Sequence, residues 1–180
     1  MLKHILVLII TVTASVNLLS QSKTITMEDT ITKFYEAFAN KDAETMVSLY
    51  HDSIRFHDPA FGELKGERAK NMWRMLCESQ KDQEFIVTFH NVQANDEEGM
   101  AQWEAKYTFS ATNRKVHNKI TAQFKFKDGK IIEHIDSFNL HAWSKQALGF
   151  TGTLLGGTNF FKKKLQKKTN SLLDSYEAKK

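Results

Sequence analysis

The chain has one cysteine, Cys77, and one proline, Pro59. A lone thiol excludes an intramolecular disulfide and leaves no basis for a thiolate zinc site. The histidines His51, His57, His90 and His141 are scattered, without metal-ligand spacing, so neither a metal nor a cofactor is expected. Gly149, Gly152, Gly156 and Gly157 lack the spacing and context of a phosphate-cradling loop, and no serine stands in a nucleophile elbow. Beyond residue 22 no apolar run is long enough to span a membrane. Excess positive charge is also missing from the body. The net charge of +4 comes from residues 149–180, which hold seven Lys/Arg against two Asp/Glu. The near-neutral remainder argues against nucleic-acid binding.

Aromatic residues are plentiful. Thirteen Phe and three Trp in 180 residues are enough for a large aromatic core or an apolar cavity in one domain. Residues 1–22 run from Lys3 through a short apolar stretch into small polar residues. This is the layout of a signal peptide, so a secreted or periplasmic protein is expected, with an uncleaved anchor as the alternative. Residues 23–148 then form the domain, and residues 149–180 a glycine-containing linker and a basic helix.

Thr26 and Asp29 predict a capping box before a helix striped by Met27, Ile31, Phe34, Tyr35 and Phe38. Asp42 predicts the cap of a second helix reaching about His51. A third helix follows Gly66, with Ala69, Met72, Trp73, Leu76 and Cys77 on one face. Near residue 84 the apolar period changes. Residues 84–94, 100–111, 115–127 and 130–138 read as strands, the last two joined by an Asp128-Gly129 turn. Helices followed by an antiparallel meander make an α+β fold, a bent sheet with helices in its hollow.

The stretch IRFHDPAFGELKG at residues 54–66 carries the chemistry. Strand alternation places Asp58 on the face of Ile54 and Phe56, where an unpaired carboxylate is costly. The plain alternative is a turn acid accepting backbone N–H groups from the loop that follows. In the final strand, alternation groups Ile132, His134, Asp136 and Phe138 on one face and Ile131, Glu133, Ile135 and Ser137 on the other. Two acids with a histidine suit proton transfer, and equally suit a buried ion pair. Tyr35, Phe56, Trp73, Trp103 and Tyr107 are the candidate pocket lining, against the bland reading of plain core.

KFYEAFANKD, IRFHDPAFGELKG, the Trp73 helix and GKIIEHIDSF together resemble the nuclear transport factor 2-like superfamily, nearest to its SnoaL-like polyketide cyclases and ketosteroid isomerase-like proteins. The resemblance covers residues 28–145 and implies a cone: a bent sheet around three N-terminal helices, open at one end on an apolar pocket. It puts Asp58 where ketosteroid isomerases have their proton-abstracting aspartate. Their oxyanion-donating tyrosine falls at Phe34 and their protonated acid near Ala122, so that machinery is incomplete. Asp136 stands where SnoaL-like cyclases and limonene epoxide hydrolases have a catalytic acid. The hydrolases' Asp-Arg pair has no counterpart here.

The expectation is therefore a pocket for a small apolar molecule, with cofactor-free isomerase- or cyclase-type catalysis by Asp58, Asp136 and His134. A binding protein without turnover is the alternative, as is a scaffold that dimerises through its open sheet face. For the basic C-terminal helix, packing on the body is preferred to peripheral membrane contact.

Overall fold

The computed structural model describes residues 26–179. The expected signal peptide and its cleavage site lie outside them.

The capping box forms as the sequence requires: Thr26 accepts from the Asp29 amide and Asp29 accepts from the Thr26 amide, opening α1 (Met27–Ala39). Asp42 accepts from the Thr45 amide and starts α2 (Ala43–Ser48). This helix stops short of His51. Tyr50 instead begins strand β1 (Tyr50–Asp58), because the chain here pairs with β6 (Lys130–Ser137). Residues 62–65, read as loop, form β2 (Gly62–Lys65), which hairpins onto β1 with Asp58 opposite Gly62. Then come α3 (Gly66–Ser79), β3 (Phe85–Ala94), β4 (Glu98–Phe109) and β5 (Arg114–Lys127). Asp128 and Gly129 both take positive φ, as a two-residue turn between β5 and β6 demands.

The six strands make one sheet in the order β2-β1-β6-β5-β4-β3, in which only β1 and β6 run parallel. The α1 and α3 helices fill the hollow. Phe34, Phe38 and Trp73 meet edge to face there, with Trp103 and Phe56 packed around them. The expected α+β cone is the observed fold.

Two departures matter for the site. Opposite Lys125 and Phe126 of β5 stand Glu133 and Ile131, so Ile132 is an extra residue, a bulge in β6. Simple alternation therefore fails. Ile131, not Ile132, is buried with His134 and Asp136. Beyond β6 the chain continues helical: Asn139 caps α4 (Leu140–Leu148), then come α5 (Phe150–Leu155) and α6 (Asn159–Glu177). Residues 150–155, expected as a flexible segment, are thus a short helix. No helix among the described residues is long and apolar enough to cross a membrane.

Candidate functional site

Four side chains form one line of hydrogen bonds through the core. Trp73 Nε1 donates to Tyr50 Oη at 2.8 Å, Tyr50 Oη lies 2.7 Å from His134 Nδ1, and His134 Nε2 lies 3.1 Å from Asp136 Oδ1. Trp103 Nε1 donates to the same oxygen at 3.1 Å. The donor inventory fixes the protons. Indole can only donate, so Tyr50 receives from Trp73 and gives its own hydrogen to His134 Nδ1. A neutral His134 then carries its hydrogen on Nε2 and donates it to Asp136. Every member is satisfied, as a buried polar network requires.

Asp58 belongs to the adjacent parallel strand. Phe56 pairs with His134 and His57 with Ile135. The next step of that register puts Asp58 alongside Asp136, with strands about 5 Å apart. Both readings of Asp58 meet in one residue. Its Oδ1 accepts from the Phe61 amide at 2.5 Å, making it the turn acid of the β1–β2 loop. Its carboxyl is also sunk toward the core although the residue as a whole is half-buried, and this desolvation pushes its pKa up to about 7. The Phe61 amide opposes that rise, and the nearby charge of Asp136 adds to it.

Of the candidate lining residues, Tyr35, Phe56, Trp73 and Trp103 come together. The Tyr35 ring centroid lies 5.8 Å from that of Trp103, and Phe56 lies 5.4 Å from Trp73. Tyr107 stands apart, where its hydroxyl accepts from Trp143 Nε1 at 2.8 Å. The Tyr35 hydroxyl is buried and has no hydrogen-bond partner. Burial first, then the charge of Asp136, drives its pKa well above the ordinary tyrosine value.

Phe56 and Trp73 are each 2% exposed, so side chains fill the interior around the acids. Two surface grooves lie elsewhere: about 360 Å³ beside Tyr107, Val116 and His117, and about 500 Å³ beside Glu28, Gly99 and Glu133. His117 pairs with Glu104 at 2.6 Å, away from the buried acids. Cys77 is a core thiol, pushed by burial up to about 12. No three His, Cys, Asp or Glu among the described residues gather as metal ligands.

Tyr50 was missed in the sequence, where it reads as the end of a helix. Its parity with Ile54, Phe56 and Asp58 was the available signal.

α6 closes the end of the cone beside Asp58. Gln166, Thr169 and Asn170 donate to the carbonyls of Pro59, Ala60 and Phe61 in turn, at 3.3, 2.8 and 2.8 Å. Glu177 accepts from Arg68 and Asn71 of α3, and Leu173 is fully buried.

Comparison with known proteins agrees with this architecture. No curated protein matches the chain significantly. Among solved structures, it is similar to an LEH-like epoxide hydrolase of M. tuberculosis (19% identity, TM-score 0.55, 72% of this chain and 96% of that one). It is likewise similar to a putative SnoaL-like polyketide cyclase of Jannaschia sp. CCS1 (14% identity, TM-score 0.58, covering 68% and 93%). A third is a Catenulispora acidiphila protein with a ketosteroid isomerase-like fold (11% identity, TM-score 0.55, covering 66% and 92%). At such identities the likeness is one of fold. The SnoaL-like domain family matches residues 31–134, more than half of the chain, and this protein therefore belongs to the SnoaL-like family.

Proposed function

We propose that the protein moves a proton on a small, largely apolar molecule next to a carbonyl, without a cofactor. The supporting observation is the pairing of two inward acids on neighbouring strands, with Asp58 raised to about 7. A base performs best when its pKa lies near the working pH. Asp58 takes the C–H proton. The same carboxyl returns a proton to the product carbon, which regenerates the base, and Asp136, held in place by His134 and Trp103, stands beside it to handle that returning proton. The unpartnered Tyr35 hydroxyl donates to the carbonyl oxygen as charge develops there. With the interior filled and α6 tied to the loop after Asp58, a substrate reaches the acids only when that loop and α6 part.

The test is incorporation of solvent deuterium next to the carbonyl across a panel of apolar ketones, read by NMR. Exchange is expected to fall by about 10²-fold or more in Asp58→Asn. Exchange unchanged in that variant removes Asp58 from the mechanism. Binding without turnover is the second reading, favoured by the two donors already committed to Asp136 Oδ1. It predicts a ligand that co-purifies in native mass spectrometry, with no exchange in any ketone.

A further inference from the structure

Packing leaves part of the C-terminal segment uncovered. Phe150 is 78% exposed, Leu154 62%, Leu155 43% and Phe160 68%, all within eleven residues. Scattered apolar side chains on a surface are ordinary, but four large ones in so short a stretch form a patch.

The patch is not a loose linker. The α5 helix lies directly on α4, where a Cβ at Gly152 would strike the Ser144 carbonyl and one at Gly156 the Ser144 hydroxyl. Ser144 Oγ donates to Gly152 O at 3.1 Å, and His141 Nε2 lies 3.0 Å from Thr153 O. This close seating uses the glycine side of α5 and leaves Phe150, Leu154 and Leu155 facing outward.

Charge says what fits. From Ser137 through Leu173 there is no Asp or Glu, while Lys145, Lys162, Lys163, Lys164, Lys167 and Lys168 fall within that span. On α6 the inward row is Leu165, Gln166, Thr169, Asn170 and Leu173. At 100° per residue the opposite face carries Phe160, Lys163, Lys164, Lys167 and Lys168, all five exposed, and further along it Asp174, whose charge is met by Arg68 at 2.8 Å. Exposed large apolar side chains in a span whose only charged residues are lysines match the interface of an anionic lipid bilayer. Apolar groups enter the acyl boundary there, and ammonium groups meet the headgroups.

We infer that α5 and the outer face of α6 dock this protein on an anionic membrane surface. The docking is peripheral, and α6 remains packed on the domain. It is independent of the chemistry proposed for Asp58 and Asp136.

The experiment is co-sedimentation of the full chain with phosphatidylcholine vesicles, with and without phosphatidylglycerol, at low and high salt. Two variants are compared with the wild type: Phe150→Ser/Leu154→Ser/Phe160→Ser, and Lys163→Gln/Lys164→Gln/Lys167→Gln/Lys168→Gln. All three proteins carry the same residues 1–25, so any difference belongs to the patch. Binding to the anionic vesicles is expected to weaken at least about tenfold in each variant, since a near-surface lysine contributes roughly fivefold at low screening. High salt should weaken wild-type binding and leave the lysine variant little changed. Equal binding by all three proteins, or equal binding to neutral and anionic vesicles, overturns the inference. So does a wild type that binds no vesicles but self-associates in light scattering and becomes monomeric in the apolar variant, which would make the patch a contact between copies. The substituted side chains are exposed, so an unchanged melting temperature is expected and verifies the fold of each variant.

Discussion

At the scale of single residues, Asp58 couples the proposed chemistry to stability. Its pKa is raised in the folded state, to about 7 against 3.8. Between these values the unfolded chain binds fewer protons than the folded one, so stability is fully present below the unfolded value. It is lost as pH rises through about 7. Asp58→Asn removes a carboxyl that resists ionisation. Relative to wild type, the variant should therefore gain stability between acid and mildly alkaline pH, by on the order of a few kcal/mol. Denaturant melts of both proteins across that range check the sign; a parallel pH dependence would show that Asp58 titrates like an exposed acid. Tyr50 is the hinge of the neighbouring line. Tyr50→Phe leaves both the Trp73 N–H and His134 Nδ1 buried without a partner, at about 1–3 kcal/mol for each orphan. Chemical denaturation measures that loss. Tyr107→Phe, which leaves only one indole N–H unpaired, should cost less.

At the scale of elements, the C-terminal helix is part of the domain rather than an appendage. Its Leu173 joins the main core, and Phe161 and Leu165 pack on the smaller cluster of Val116, Trp143 and Ala147. Leu173→Ala is expected to cost about 2–5 kcal/mol, the usual range for emptying a buried leucine site. Leu172→Ala, on an exposed neighbour, should cost well under half of that. The pair of melting temperatures decides whether α6 is integral. Helix caps, the hairpin turn and the helix over residues 159–177 were legible in the sequence because each depends on neighbours within a few positions. β2 was not legible. Its four residues become a strand only by pairing with β1. The β6 bulge was equally hidden, since an extra residue in one strand is defined by the register of its partner.

At the scale of the whole molecule, one sheet wraps two long helices, and α6 covers the end of the hollow beside Asp58. Residues 1–22 carry a prediction at this scale too. The sequence pattern of residues 1–22 predicts a mature N-terminus between Gln21 and Lys23, and N-terminal sequencing of protein from the native host checks it. Intact Met1 in the membrane fraction would instead indicate an anchor. By itself the sequence determined the α+β class, the change of period near residue 84, and the inward aim of Asp58. Hydrophobic periodicity is a local record of which face is buried. Only tertiary structure decided that Asp58 and Asp136 are neighbours, because a parallel pairing joins strands more than seventy residues apart. It also decided that Tyr50 belongs to the buried line, that α6 covers the loop after Asp58, and that the seating of α5 and α6 keeps Phe150, Leu154 and Phe160 in solvent. Such outcomes depend on which distant surfaces meet, and a one-dimensional pattern of apolar and polar residues does not encode that choice.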